Sequence, residues 1–219
     1  MDQKPSPGRT IAYIDGFNLY YGLKGRGWKQ FYWIDPAELA RQLLSGGREL
    51  VNTKYFTAKI KQPEDKRKRQ AAFLDAVSAT TDAEIVYGKF ARRDRKCDHC
   101  SRKTTRHEEK MTDSAIAAHL VADALRDEFD TAMLIGGDTD ILPAIKMVRR
   151  HCPEKRLEAW FPPLRINQHL GQSCHDTGNI NGNHLGAAVM PDTIVTPDGI
   201  NIVRPDRWAG APPTAASGA

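Results

Sequence analysis

The hydrophobic positions of the chain alternate between short apolar runs and longer amphipathic stretches. Five apolar runs predict buried β-strands: 10–14, 51–60, 84–90, 131–136 and 156–161. Four stretches with helical spacing predict α-helices: 36–44, 63–78, 112–126 and 141–151. Asp35 before Pro36 is a typical helix start, because aspartate caps the free backbone N–H groups and proline suits the first turn. Strands that alternate with helices predict an α/β fold with a doubly wound parallel sheet flanked by helices.

Three further segments depart from this alternation. Residues 91–110 are polar and basic, and we expect an insert in the main domain, which spans 10–170. Residues 171–207 form a C-terminal extension, where 193–203 predicts a hairpin that turns at 197–199. Residues 208–219 are rich in alanine, proline and glycine, which predicts a disordered tail.

Two of the predicted strands end directly in carboxylates. Asp15 follows the first strand, and Asp138 and Asp140 follow Gly136-Gly137 at the end of the strand 131–136. Ligands bind outside the carboxyl ends of the strands in an open parallel sheet, so these acids are expected side by side. Asp113, at the start of the helix 112–126, is the natural fourth member. Neighbouring carboxylates repel one another, and Mg²⁺ or Mn²⁺ is the expected neutralising ligand.

Each of these residues also has a purely structural interpretation. Asp113 is compatible with a first-turn acid that the helix dipole favours, and Asp138 and Asp140 with helix capping. Asp15 before glycine is compatible with an ordinary turn. Asn18 either orients a water molecule or phosphate oxygen or caps a helix. The combination of acids at three strand or helix ends is much harder to explain by structure alone.

A dense basic group occupies the insert. The chain carries a formal net charge of +5 and a pI of about 9.0, which weakly favours a polyanionic partner. Lysine and arginine contacts to phosphates give sequence-independent affinity for nucleic acid. The candidate RNA-binding residues are Arg92, Arg93, Arg95, Lys96, Arg102, Lys103 and Arg106. Aromatic residues between 20 and 33 either stack on unpaired bases or pack in the core.

The same insert contains Cys97-Asp-His-Cys100, which is half of a zinc site. His107 is a candidate third ligand, with His99 also nearby. A matching second pair is absent, so a pair of reduced thiols in a loop is the alternative to a structural Zn²⁺.

Composition excludes several other classes. The sequence contains no apolar stretch of membrane-spanning length, and its N-terminus lacks the apolar core of a signal peptide. Four cysteines without an export signal indicate reduced thiols and a cytoplasmic protein. A G-x-x-x-x-G-K-[ST] phosphate loop is missing, which disfavours nucleotide-triphosphate hydrolysis. A phosphatase acting on small substrates fits the basic insert poorly.

Three motifs in this order resemble those of NYN-domain proteins, relatives of PIN-domain and flap-type nucleases. They are Asp15-Gly-Phe-Asn18-Leu-Tyr-Tyr, Glu109-Lys-Met-Thr-Asp113 and Gly137-Asp138-Thr-Asp140. The resemblance implies a PIN-like fold over residues 10–170 and a metal-dependent ribonuclease. It also implies metal binding by Asp15, Asp113, Asp138 and Asp140 and a supporting catalytic role for Asn18.

One departure from the family pattern concerns His119, where many NYN proteins have a further acid. It is a substitute ligand, a general acid or a half-buried helix residue, and we favour the last. The leading prediction is an endoribonuclease acting on single-stranded or structured RNA. The alternative is a catalytically inactive RNA-binding module of the same fold. The sequence does not decide whether the protein acts as a homodimer.

Overall fold

A computed structural model of the protein describes residues 8–96 and 103–209. A six-stranded parallel sheet forms its centre, in the order β3-β2-β1-β6-β7-β8. Its strands are β1 (Arg9–Asp15), β2 (Glu49–Thr57), β3 (Glu84–Tyr87), β6 (Thr131–Ile135), β7 (Arg156–Phe161) and β8 (Asp176–Asn179). Two antiparallel hairpins stand outside this sheet: β4 (Lys89–Lys96) with β5 (Lys103–Lys110), and β9 (Thr193–Val195) with β10 (Asn201–Val203).

Helices cover both faces of the sheet. They are α1 (Gly16–Arg26), α2 (Pro36–Leu43), α3 (Glu64–Thr80), α4 (Thr112–Leu125), α5 (Leu142–His151), α6 (Gln168–Ser173) and α7 (Gly182–Ala187). Side chains of α1, α2 and α3 pack with alternate residues of β1 and β2 in one apolar cluster. The second cluster, on the opposite face, contains side chains of α4, α5 and α6. This two-sided arrangement confirms the predicted α/β fold with a doubly wound parallel sheet.

The predicted helix start at Asp35 is confirmed. The Asp35 side chain accepts hydrogen bonds from the backbone N–H groups of Ala37 (2.7 Å) and Glu38 (3.1 Å). Burial raises the pKa of this carboxyl, while those two backbone N–H groups oppose the shift. The cap therefore satisfies two of the four backbone donors that a helix start leaves unpaired.

Helix α1 was not expected from the sequence. Its three glycines disfavour a helix on propensity alone, since glycine costs about 1 kcal/mol relative to alanine in a helix. Packing overrides this preference: a Cβ atom on Gly22 would lie 2.8 Å from Pro163 O and from Pro162 Cβ. The helix ends at Gly27, whose φ of 77° is the left-handed conformation that glycine adopts readily.

The sequence predicts one strand over 84–90, followed by a basic insert that departs from the strand and helix alternation. The structure instead ends β3 at Tyr87 and starts β4 at Lys89, so the chain leaves the central sheet and the insert forms a hairpin.

Beyond residue 170, β8 pairs with β7 and extends the central sheet past the predicted domain end. The predicted hairpin in 193–203 is confirmed, with Gly199 N–H donating to Thr196 O.

The predicted disordered tail begins too early. Trp208 is only 9% exposed and packs against Tyr32, Trp33 and Phe73, with ring centroids 5.8 to 6.5 Å apart. The alanine-, proline- and glycine-rich composition of residues 208–219 gives no indication that Trp208 is buried. Residues 210–219 lie outside the described residues. No helix in the described part of the chain is long and apolar enough to cross a membrane.

Candidate metal and nuclease site

A small cleft lies at the carboxyl ends of β1 and β6, and three of the predicted acids line it. Asp15, Asp113 and Asp138 share its walls with Tyr13 and Ile116. These strands are neighbours in the sheet, and the connections on their two sides run in opposite directions. Ligands of open α/β sheets bind at such a switch point. The structure thus brings Asp15, Asp113 and Asp138 to one cleft although they are far apart in sequence.

Asp15 is held in place by the start of α1. It is 8% exposed, and its side chain accepts a hydrogen bond from Asn18 N–H at 2.9 Å. The Asn18 side chain in turn accepts a hydrogen bond from Gly137 N–H at 3.1 Å. Asn18 therefore joins the end of β1 to the turn that follows β6. This is a positioning role between the two strand ends, and it does not cap a helix.

Gly137 has a steric reason to be glycine. A Cβ atom at this position would lie 2.0 Å from the backbone oxygen of Arg165, which cannot move independently of its chain. The amide of Asn167 also donates to Gly137 O at 3.2 Å. The segment after β7 therefore packs directly on the turn that presents Asp138.

Asp138 and Asp140 differ in their orientation. Asp138 caps a short 3₁₀ turn, Thr139–Ile141, by accepting a hydrogen bond from Asp140 N–H at 3.1 Å. Asp140 is exposed and is absent from the lining of the cleft among the described residues. Residues two apart in a helical turn do not face the same side, which explains the difference. The structure therefore does not bring Asp140 together with the other three acids.

Three carboxylates in one cleft are a suitable donor set for a hard divalent cation. Mg²⁺ is commonly held by one or two carboxylates, with water and substrate phosphates completing its ligands. Among the side chains that the structure describes, those of residues 8–89 and 111–209, however, no three from Asp, Glu, His or Cys are grouped closely enough to form a complete protein ligand set. The cleft therefore fits a cation that keeps several water molecules better than one enclosed by protein.

A buried polar network lies beside the cleft. The hydroxyl of Tyr13 donates to Asp123 Oδ2 at 2.7 Å, and Lys54 Nζ donates to the same oxygen at 2.6 Å. Burial, followed by the hydrogen bond to Asp123, raises the pKa of Tyr13 well above its usual range. Tyr13 is therefore a neutral donor at physiological pH. The network fixes one wall of the cleft, because Tyr13 also lines it.

His119 belongs to this network and is absent from the described lining of the cleft. Its Nδ1 lies 3.3 Å from Lys54 Nζ, and its ring packs edge-on against Phe56 with centroids 5.4 Å apart. It is neither fully buried nor fully exposed. These contacts favour the interpretation of His119 as a half-buried helix residue.

The basic insert is described only in part. Arg92, Arg93, Arg95 and Lys96 lie on β4, and Lys103, Arg106 and His107 lie on β5; their backbones are described and their side chains are not. Cys97, Cys100 and Arg102 lie outside the described residues. The β5 strand ends at Lys110, two residues before α4 begins with Asp113 in its first turn. The hairpin backbone thus leads directly into the helix that presents Asp113.

Sequence reasoning missed a second concave site, here called the aromatic pocket. It lies between α1, α3 and Trp208 on the face of the sheet that carries α1, α2 and α3, and its volume is about 110 Å³. Tyr20, Tyr21, Phe31 and Tyr32 of the aromatic segment line it. Trp33 of the same segment is fully buried and donates to Pro191 O at 2.8 Å. Composition could not separate the residues that line the pocket from those that pack in the core.

Two known proteins are similar to this chain, one in sequence and one in fold. The chain is 28% identical to a 6-hydroxy-3-succinoylpyridine 3-monooxygenase from Pseudomonas putida, over 94% of this chain and 77% of that protein. A crystal structure of a protein of unknown function from Vibrio parahaemolyticus has a similar fold. Its TM-score is 0.53 at 14% identity, and the match covers 86% of this chain and 99% of that one.

The family model that matches is the NYN domain, over residues 9–176. This range begins with β1 and ends at the start of β8, so it contains the whole cleft with Asp15, Asp113 and Asp138. The resemblance of the three acidic motifs to NYN proteins is thereby confirmed, and the chain belongs to the NYN-domain family, with its PIN-like nuclease fold.

Proposed function

We propose that the protein is a metal-dependent ribonuclease that hydrolyses RNA phosphodiester bonds at the cleft of Asp15, Asp113 and Asp138. The observation that carries the proposal is the meeting of these three carboxylates at the switch point of an NYN domain. The acidic ends of two neighbouring strands and the acidic first turn of α4 present oxygen ligands to this cleft. Such a donor set suits a divalent cation that keeps several of its water molecules.

Asp15 and Asp138 are the residues that we expect to hold Mg²⁺ or Mn²⁺ directly, with Asp113 as a further ligand. When bound, the cation stabilises negative charge on the phosphate oxygens and lowers the pKa of a bound water molecule. Asp140 is exposed beside Asp138. It reaches the site only through water, so its contribution is smaller than that of Asp138.

The RNA path that we propose runs along the β4–β5 hairpin. Its basic residues lie on a backbone that continues directly into α4, beside Asp113. Positive charge here offsets the repulsion between a phosphate chain and the acidic cleft, and the resulting affinity falls with salt. Cys97, Cys100 and His107 are proposed as ligands of a structural Zn²⁺ that stabilises this hairpin.

The test compares two neighbouring aspartates. Labelled single-stranded RNA is incubated with the protein in Mn²⁺, Mg²⁺ or EDTA, alongside Asp138→Asn and Asp140→Asn. We expect metal-dependent cleavage that Asp138→Asn abolishes and Asp140→Asn lowers only about tenfold, the smaller end of the loss that is typical of residues acting on a metal through another group. RNA binding should survive in Asp138→Asn. Salt-sensitive binding without cleavage by the unmodified protein would instead support the inactive RNA-binding module.

A monooxygenase acting on a pyridine derivative is the second candidate. Its support is the relative that is 28% identical over nearly the whole chain and is named for 6-hydroxy-3-succinoylpyridine. The aromatic pocket is an observation in this chain that suits a ring substrate. Such a reaction consumes O₂ and a two-electron reductant such as NADH. The test measures oxygen uptake in the presence of NADH, with and without 6-hydroxy-3-succinoylpyridine.

A further inference from the structure

The aromatic pocket differs from the acidic cleft in both its walls and its charge. Tyr55, which lines the pocket, belongs to the apolar cluster on one face of the sheet, and the next residue, Phe56, belongs to the cluster on the other face. The hydroxyl of Tyr55 is close to the start of α1: a Cβ atom on Gly16 would lie 2.5 Å from it. The pocket thus begins one residue after Asp15 but opens on the opposite side of the sheet.

Eight of the twenty residues that line the pocket are aromatic. Tyr20 packs against Tyr32 with ring centroids 4.9 Å apart, and Tyr32 meets the ring of Trp208 edge-on at 5.8 Å. The rings that line the pocket belong to Phe17, Tyr20, Tyr21, Phe31, Tyr32, Tyr55, Phe73 and Trp208. Tyr21 is 47% exposed at the rim, so the pocket communicates with solvent. An open concavity of this composition is typical of a binding site for a small planar ligand.

The charged residues that line the pocket are all cationic. They are Lys24, Lys66 and Arg69, and no aspartate or glutamate is among the described lining residues. Arg69 is partly neutralised by Asp65 at 3.0 Å. Lys66 is exposed and forms no ion pair with any residue whose side chain the structure describes. The mouth of the pocket therefore favours an anionic group.

Most of the uncharged hydrogen-bonding groups that line the pocket are phenol hydroxyls, those of Tyr20, Tyr21, Tyr32 and Tyr55. The Gln70 amide is already engaged, because its Oε1 accepts from Ile60 N–H at 2.7 Å and its Nε2 donates to Ala58 O at 3.0 Å. Burial raises the pKa of Tyr32 to about 12, and that of Tyr20 rises for the same reason, so both stay neutral phenols. A neutral phenol hydroxyl both donates and accepts a hydrogen bond, so these groups can also bind a polar substituent on the ring of a ligand.

We propose that the aromatic pocket binds a small single-ring aromatic carboxylate, with the ring among the aromatic side chains and the carboxylate near Lys66. The volume of about 110 Å³ is of the same order as the engineered apolar cavity of about 150 Å³ that accommodates benzene. The proposal stands on the walls and charges of the pocket and is independent of RNA cleavage. A ligand of this class is also what the second candidate function requires.

The test is calorimetric titration of the full-length protein with three probes, without added metal or reductant. Nicotinate is the aromatic carboxylate, nicotinamide is its uncharged counterpart, and AMP represents a nucleotide. We expect saturable binding of nicotinate with a Kd of about 5 mM or lower. Nicotinamide should bind at least about threefold more weakly because it lacks the charge that Lys66 meets.

Two pairs of variants locate the site. Lys66→Ala should weaken nicotinate binding about fivefold and leave nicotinamide unchanged, whereas Lys68→Ala, on the same helix but outside the pocket lining, should affect neither. Tyr21→Ala should weaken both ligands about three- to tenfold. Tyr87→Ala is the matched control, because Tyr87 is 46% exposed and also lies beside a lysine.

Three outcomes would overturn the proposal. The first is the absence of saturable nicotinate binding up to about 10 mM. The second is tighter binding of AMP than of nicotinate. The third is an equal effect of Lys66→Ala and Lys68→Ala on the Kd for nicotinate. Tighter AMP binding would assign the pocket to a base of the RNA substrate. Asp138→Asn should retain nicotinate binding, so a failure of this proposal and a failure of the ribonuclease proposal are distinguishable.

Discussion

Replacing Trp208 with alanine tests whether the end of the described chain is part of the folded domain. Trp208 is 9% exposed, and its ring touches those of Tyr32, Trp33 and Phe73. A tryptophan of this burial removes about 150–250 Å² from water, which at about 25 cal/mol/Å² is worth roughly 4–6 kcal/mol. This is an upper bound, because the unfolded chain already hides part of that surface and alanine retains some contacts.

We therefore expect Trp208→Ala to lower the free energy of unfolding by about 3 kcal/mol, toward the lower end of values for Trp→Ala in cores. For a domain of this size the melting temperature should fall by about 6–12 °C. Urea unfolding and calorimetry measure both quantities. Val203→Ala, at a 55% exposed position of β10, is the control and should shift the melting temperature by less than about 2 °C.

The reasoning would be refuted if Trp208→Ala behaved like Val203→Ala. In that case the C-terminal segment would detach at no cost, and the predicted tail from residue 208 onward would be restored. Removal of residues 210–219 is a separate comparison. We expect no change in melting temperature, because their composition predicts a disordered segment.

Three further changes test the site and its surroundings. Gly137→Ala should lower the free energy of unfolding by about 1–3 kcal/mol and disrupt the cleft, since its Cβ would lie 2.0 Å from a backbone oxygen. Gly182→Ala is the control, because the space around Gly182 is open, and it should change neither stability nor activity. Tyr13→Phe should lower the free energy of unfolding by about 1.5–3 kcal/mol, because it removes a buried 2.7 Å hydrogen bond to Asp123. An unchanged midpoint of urea unfolding would contradict this. Burial raises the pKa of the Cys174 thiol from 9.0 to about 11, so this group loses its stabilising contribution as the pH rises through that interval. Urea midpoints at pH 8 and 10.5 should therefore fall less for Cys174→Ser than for the unmodified chain.

Local signals in the sequence predicted the elements that local chemistry determines. Asp35-Pro36 marked the start of α2, and the hydrogen bonds of the Asp35 cap show why this signal is reliable. The apolar runs marked the strands, because each central strand is buried on both faces. Helix α1 was missed because its glycines are explained by contacts with residues distant in sequence, such as those of Gly22 with residues 162 and 163, which no local pattern reveals.

The meeting of Asp15 and Asp138 was predictable because topology brings the ends of adjacent parallel strands together, and Asp113 joins them at the start of α4, the helix that precedes β6. The orientation of Asp140 was not, because it depends on the short 3₁₀ turn after β6. The aromatic pocket was also beyond prediction. It is assembled from α1, α3 and a tryptophan near the end of the chain, and only the fold shows which aromatic side chains face solvent.

The most direct test of the central claim is a titration of the protein with Mn²⁺, followed by electron paramagnetic resonance of the free ion. We predict saturable binding that Asp138→Asn strongly weakens and Asp140→Asn largely retains, because only Asp138 lines the cleft with Asp15 and Asp113. Magnesium should compete for the same site. Equal Mn²⁺ binding by the unmodified protein and Asp138→Asn would contradict the assignment of this cleft as the metal centre.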